Sequence, residues 1–161
     1  HAMGARAESL AKQFEAKATE MTGVIAKLSD ADWKKITAAE KWPVGVTAHH
    51  LALGHEAILG IVKTIAAGKS IPNFTMTMLD EMNATHAREH AGCTKVETLA
   101  LHQKGAAVAA AGVRGLSDAE LDQSGTVLTG MPAMTTQQVV EGILINHMND
   151  HLGSIRKTVG A

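Results

Sequence analysis

The chain has 161 residues, a net charge of -1 and a single cysteine, Cys93. This length suits one domain with a sizeable core, and the charge gives no reason to expect nucleic acid or an anionic membrane surface as a partner. No apolar run is long enough to span a bilayer and no secretory signal is evident, so we expect no membrane partner. The lone cysteine excludes an internal disulfide framework and favours a reducing cytoplasm.

The composition favours helices over strands. Aromatic residues make up 2% of the chain and tyrosine is absent, so the core must be built from Ala, Leu, Ile, Val and eight methionines. Residues 1–3 have the composition of an expression scar. We therefore expect a single domain over residues 4–161.

The first predicted helix covers roughly residues 4–28. Its apolar residues recur at spacings of four and three, which gives one stripe for a core: Leu10, Phe14, Ala18, Met21, Ile25 and Leu28. Ser29 or Asp30 can then cap a short turn. A second helix opens at Trp42-Pro43, because proline is tolerated in a first helical turn, and we expect it to stop at Gly68.

A third helical region begins near Thr75, after a loop at residues 70–73. We expect it to bend around Gly92 and to restart at a capping box formed by Thr94 and Glu97. It should then continue to about residue 113, before a second helix-linking turn.

The longest predicted loop covers residues 122–134, and loops of this length are often functional. Thr135 with Gln138 forms another capping box, which opens the last helix over residues 136–158. Four long helices with three connections predict an all-α four-helix bundle.

The last helix carries two histidines four residues apart in an apolar run. His147 and His151 fall in a row with Val139, Ile143 and Ile155, so both are expected to face the bundle interior. Buried imidazoles need partners for their ring nitrogens, and a pair at this spacing can hold one cation. The alternative is two core histidines, each hydrogen-bonded to a neighbouring helix.

A third metal ligand can come from the second helix, which carries His49, His50 and His55. On a helical wheel His50 aligns with apolar residues and faces the core, whereas His49 shares a side with Glu56 and Lys63 and is expected to face solvent. His55 lies toward one edge, where it could line a pocket or pack at a helix interface. Spacing therefore selects His50, with a hydrogen-bonded core histidine as the alternative.

His86 and His90 form another pair at a spacing of four and compete for the same role. Arg88 and Glu89 lie between them, and Gly92 soon interrupts the helix. We therefore expect both histidines at the rim of a pocket, along its lining or at an interface, where metal binding by one of them is the alternative.

The remaining candidates carry simpler expectations. His102 has polar neighbours and is expected at the surface, and Cys93 is expected to be a buried thiol, since it has no ligand-like spacing with any histidine. No general base stands out. His55, Asn83 and His86 are the residues that we expect to contact a substrate or to support the metal ligands.

These features together resemble the DinB/YfiT superfamily. Trp42 opens a helix, a His-Leu pair begins eight residues later at His50, and the last helix carries H-x-x-x-H-x-x-x-I at His147, His151 and Ile155. The resemblance implies a four-helix bundle with an up-down-down-up arrangement. It also implies that dimers are common and that a divalent metal is held by three histidines, which carry over onto His50, His147 and His151.

The family that the chain resembles includes thiol-dependent S-transferases, a thiol-dependent maleylpyruvate isomerase and hydrolases. Three neutral imidazoles suit zinc or nickel better than magnesium or calcium, and three protein ligands leave an open coordination position. Water there can act as a nucleophile in hydrolysis, and a thiol there can attack an electrophile.

We therefore expect a metal-dependent S-transferase or hydrolase that acts on a small molecule. A low-molecular-weight thiol is the candidate co-substrate, and a homodimer is the expected assembly. The alternative is a stress-response protein that binds a metal or ligand without turnover.

Overall fold

The computed structural model describes residues 4–161, so the predicted expression scar lies outside the described residues. The elements are α1 (Ala5–Ala26), α2 (Asp30–Lys34), α3 (Val44–Ala66), α4 (Met76–Glu89), α5 (Lys95–Arg114), α6 (Asp118–Asp122), β1 (Ser124–Gly125), β2 (Met134–Thr135), α7 (Thr136–Val139), a π-helical segment (Val140–Ile145) and α8 (Asn146–Val159). We call α7, the π-helical segment and α8 together the last helix. Within residues 4–161 no helix has the length and apolar character needed to cross a membrane.

Four long helices form the bundle, and α1 and α3 stand on one diagonal because each contacts both α5 and the last helix. Two polar contacts give the relative direction of α1 and the last helix. Arg6, near the start of α1, donates to Gln137 at the start of the last helix. Arg156 donates to Glu20 at 2.7 Å, near the ends of the same two helices. These two helices therefore run in the same direction.

The other two long helices run the opposite way. Arg114 at the end of α5 pairs with Glu8 near the start of α1 at 2.7 Å, so these helices are antiparallel. Contacts between α3 and α5 follow the same order along both helices. Ala52 lies against Gly105 and, two turns later, Leu59 lies against Gly112, so α3 and α5 are parallel. The arrangement is up-down-down-up, which confirms the predicted four-helix bundle.

Parallel packing of α3 and α5 forces the chain to return along the bundle before α5 can begin. Residues 67–94 make this return and carry α4, which buries none of its residues and packs mainly on α3. The predicted bend is therefore a complete break, because α4 ends at Glu89 and α5 begins at Lys95. The side chain of Thr94 caps α5, as its sequence position indicates.

The last helix departs from α geometry immediately before its two histidines. Its buried side chains follow one stripe across the π-helical segment: Val139, Val140, Leu144, Met148, Leu152 and Ile155. His147 and His151 lie at the edge of this stripe and are half-buried. The expectation that both face the interior is thus correct only in part, because a π-turn changes the register that a regular helical wheel assumes.

Two short strands close the predicted long loop, although the sequence did not predict them. Ser124 pairs with Thr135 and Gly125 with Met134 in antiparallel register. The loop between the strands and the π-helical segment line a cavity of about 610 Å³.

At one end of the bundle the Trp33 ring lies against the backbone of Gly45. A Cβ atom built at Gly45 would stand 2.2 Å from that ring. The indole Nε1 of Trp33 also donates to the Cys93 carbonyl at 3.0 Å, which holds the ring in place. Only glycine fits beneath the indole in this position.

We expect Gly45→Ala to lower the free energy of unfolding by about 1–3 kcal/mol, because the added methyl group must displace the indole. Gly60→Ala is the matched control in the same helix. No atom lies within 4 Å of a Cβ at Gly60, so this change should raise the free energy of unfolding by about 0.5–1 kcal/mol. Urea titrations measure both, and equal effects would contradict the packing role of Gly45.

Candidate metal centre

Three histidines from α3 and α8 converge at one point. His50, His147 and His151 each offer a ring nitrogen, and these nitrogens lie within 4.8 Å of one another. The Nε2 atoms of His50 and His147 are 2.9 Å apart, and the ring centroids of His151 and His50 are 4.9 Å apart. The structure therefore brings together the three residues that the sequence selected, which we call the first triad.

Two neighbours shape the space around the first triad. A Cβ atom at Gly54, one turn after His50, would stand 2.8 Å from Cε1 of His147, so the missing side chain makes room for that ring. Trp42 packs edge-on against His50, with ring centroids 5.3 Å apart. At Gly54 the surface of α3 thus has space for the His147 ring next to His50.

Glu40 holds His151 and is a site residue that the sequence analysis did not select. Nδ1 of His151 lies 2.7 Å from Oε2 of Glu40, and the Ser154 hydroxyl donates to Oε1 at 2.6 Å. Burial raises the pKa of Glu40, but hydrogen bonds from Ser154, Thr37 and His151 outweigh it and keep that pKa below its usual value. An ionised carboxylate only accepts, so His151 donates from Nδ1, and in the neutral ring the lone pair is then on Nε2.

The loop between α2 and α3 brings Glu40 to this position. Its chain folds back on itself, because the amide of Thr37 donates to the Trp42 carbonyl at 2.9 Å. Lys41 adopts a left-handed backbone with φ 62, which turns the chain between Glu40 and Trp42. Glu40 lies 111 residues from His151 in sequence, so no local spacing could have indicated the pair.

Two histidines of the first triad are neutral at pH 7. Burial, with the charges that His147 and His151 would carry, lowers the pKa of His50 to about 3. Burial, followed by the influence of His151, lowers the pKa of His147 to about 3. A neutral imidazole has a free lone pair on one ring nitrogen, which is the form that binds metal ions.

The donor set and its spacing fit a transition-metal ion. Two nitrogen ligands on a tetrahedral zinc lie about 3.3 Å apart, given Zn–N bonds of about 2.0–2.1 Å. The His50–His147 separation of 2.9 Å is close to this value, so a small ring movement would suffice. A histidine whose other nitrogen is bound to a carboxylate, as in His151, is also typical of metal ligands.

A second cluster of three histidines lies beside the first and joins α3 to α4. His49, His86 and His90 also bring one ring nitrogen each within 4.8 Å of one another, and we call them the second triad. His49 is only 7% exposed, so the prediction that it faces solvent is wrong. The physical reason is that α4 covers this side of α3. His86 and His90 lie at an interface, which is one of the roles that the sequence predicted.

His55 and His102 are core residues, each 1% exposed. Nε2 of His55 lies 2.9 Å from Nδ1 of His102, and Nε2 of His102 lies 3.0 Å from the Ala18 carbonyl and 2.9 Å from the Thr22 hydroxyl. The surface prediction for His102 is wrong, because its face of α5 packs against α1 and α3. His55 packs at a helix interface, the second of its two predicted roles.

Asn83 and Cys93 lie outside both triads. Asn83 is half-buried on α4, one turn before His86. The Cys93 thiol is also half-buried and donates to the Gly45 carbonyl at 3.4 Å. Burial raises the pKa of this thiol, so it is protonated at neutral pH.

The cavity under the long loop is separate from the first triad. Its lining runs from Val127 to Ile143, so it ends one turn before His147 on the last helix. The loop lines this cavity, but none of the histidines in either triad belongs to that lining.

Comparison with known proteins gives both a family and a fold. The model of the DinB superfamily matches residues 13–155. Similar solved structures are the mycothiol-dependent maleylpyruvate isomerase, with a TM-score of 0.72 and 11% sequence identity, and a mutant of it in which a histidine is replaced by alanine, with a TM-score of 0.71 and 11% identity. Each comparison covers 92% of this chain and 60% of the other, so this chain spans less than two thirds of those proteins. A search of curated proteins found no match.

We expect the free energy of unfolding to fall as the pH drops below about 6.5. Burial, with the charge that His102 would carry, lowers the pKa of His55 from 6.5 to about 3, and burial also lowers the pKa of His102. Between these pH values the unfolded chain binds protons that the fold excludes, at a cost of up to about 1.4 kcal/mol per pH unit for each histidine. The free energy of unfolding should depend less steeply on pH in His55→Gln, by the equivalent of up to one bound proton. Urea titrations from pH 7 to 5 measure it, and an unchanged slope would contradict the assignment.

Proposed function

The chain belongs to the DinB superfamily, and on this basis we propose that it is a divalent-metal-dependent enzyme that acts on a small molecule. The proposed metal is zinc or nickel, and the proposed ligands are His50, His147 and His151. The observation that carries the proposal is the convergence of these three imidazoles from helices far apart in sequence. His50 and His147 are 97 residues apart, yet their Nε2 atoms meet at 2.9 Å.

A divalent metal held by these three imidazoles would have an open coordination position and would lower the pKa of a water or thiol bound there. The protein's own residues prepare the site for this role. Glu40 fixes the tautomer and orientation of His151, Gly54 leaves room for His147, and Trp42 supports one side of the His50 ring. All three ligands are half-buried, which is compatible with access for a small molecule.

We propose S-transfer from a low-molecular-weight thiol as the reaction, with hydrolysis as the second candidate. The thiol is supported by the similarity to an isomerase described as mycothiol-dependent. Hydrolysis is supported by the ligand set, which suits activation of water equally well. Asn83, half-buried on the helix that covers α3, is the proposed contact to substrate. A homodimer and a cytoplasmic location stay predictions.

We expect His147→Ala and His50→Ala each to reduce the metal content by one equivalent per chain, because either change leaves only two imidazoles at the first triad. Elemental analysis for zinc and nickel after gel filtration measures the loss. Circular dichroism checks that both variants are folded. Equal metal content in the wild type and both variants would remove the basis of the proposal.

Activity assays then separate the reaction classes. The metal-loaded protein is tested with thiols plus small electrophiles, and with panels of esters and amides without thiol. Turnover that requires the thiol supports the transferase, and turnover without it supports the hydrolase. A retained metal with no turnover in either panel would favour a binding protein and contradict the proposed enzyme.

Glu40→Gln should weaken metal binding at the first triad by about 10–100-fold, because a neutral amide no longer fixes and polarises His151. Ser154→Ala is the matched control, since it removes one hydrogen bond to Glu40 but keeps the carboxylate. Its effect should be smaller. Competition against a chromophoric chelator measures both affinities. If Glu40→Gln binds metal as tightly as the wild type, the carboxylate has no such role.

A further inference from the structure

The second triad has the same geometric signature as the first. Nδ1 of His49 lies 2.8 Å from Nε2 of His86, much as the Nε2 atoms of His50 and His147 lie 2.9 Å apart. The His90 ring stacks on His49, with centroids 4.2 Å apart, and lies 4.7 Å from the His86 ring. Three ring nitrogens from two helices thus point to one small volume.

Packing alone leaves features of this cluster unexplained. The contact between His49 and His86 accounts for one nitrogen of each ring. Nδ1 of His86 is buried and has no hydrogen-bond partner among the described residues. An ion at this nitrogen would satisfy it, whereas an ion at Nε2 would replace the contact with His49. A buried imidazole nitrogen without a partner costs stability. The cluster also lies where α4 meets α3, and α4 buries none of its own residues there.

We propose that His49, His86 and His90 bind a second divalent transition-metal ion, which ties α4 to α3. Three imidazoles without a carboxylate are a donor set for zinc, nickel, cobalt or copper and a poor one for magnesium or calcium. The ion would link His49 on α3 to His86 on α4 and to His90 immediately after it. It would thereby hold a helix that buries none of its own residues.

The two triads form two separate mononuclear sites. Two-metal sites hold their ions about 3.5–4 Å apart. Here no residue is shared between the triads, although His49 and His50 are consecutive. Successive residues on a helix point about 100° apart, so the two imidazoles diverge into different clusters. The rings of His50 and His86, one from each triad, have centroids 5.6 Å apart.

The test counts bound Co²⁺ and Zn²⁺ in chelator-treated protein by titration and by elemental analysis after gel filtration. The variants are His90→Gln and His86→Gln for the second triad and His147→Gln for the first. All carry His1→Ala, which removes the terminal imidazole. The wild type should retain two equivalents and each variant one. Retention after gel filtration excludes weak surface binding.

Hydrogen exchange of residues 76–89 provides a readout that does not depend on activity. Addition of Zn²⁺ should slow exchange in α4 at least tenfold in the wild type and in His147→Gln. It should have little effect on α4 in His90→Gln, where only the first site remains. Because His86, His90 and His147 are all only half-buried, these substitutions should leave the bundle folded, which circular dichroism checks.

The outcomes of the two proposals can be told apart. One equivalent that is lost in His147→Gln and kept in His90→Gln overturns the second site and leaves the proposed function standing. One equivalent that is lost in His90→Gln and kept in His147→Gln supports the second site and overturns the first. Two equivalents in the wild type without any protection of α4 would overturn the role of the ion as a link between α3 and α4.

Discussion

The close approach of α8 to α3 is the contact on which the candidate site depends. His147 meets His50 directly above the bare backbone of Gly54, and a single methyl group there would stand 2.8 Å from the ring. The same approach sets His151 against Glu40 at 2.7 Å. Helix packing and ligand placement are therefore one feature in this protein, since the small residue that lets the helices approach is also what brings the imidazoles together.

Burial keeps several histidines neutral, and the consequence differs between the core and the first triad. In the core, His55 and His102 hydrogen-bond to each other, and His102 also hydrogen-bonds to the backbone of α1. Their neutral form therefore contributes to a packed interior. At the first triad, burial keeps the lone pairs of His50 and His147 free for a cation. Both effects come from desolvation, which disfavours the charged imidazole wherever water is excluded. A buried histidine is therefore a candidate ligand only where several ring nitrogens face one another.

The up-down-down-up arrangement explains why a second histidine cluster exists beside the first. Parallel neighbours need a long connection, and here that connection carries α4 back across α3. The crossing covers the side of α3 that the sequence assigned to solvent and places His86 and His90 against His49. In this way consecutive residues of one helix come to belong to two different clusters, one shared with α8 and one shared with α4.

The sequence by itself determined the helical class, the four long helices and the choice of His50, His147 and His151, because apolar spacing along a helix is a local property. Tertiary structure alone decided the rest. Only the folded chain shows the π-turns before His147, the strand pair that closes the long loop and a complete break where the sequence predicted a bend around Gly92. Glu40, the burial of His49 and the core position of His102 likewise depend on neighbours far away in the chain. A helical wheel shows which residues share a face, and only the packed bundle shows what covers that face.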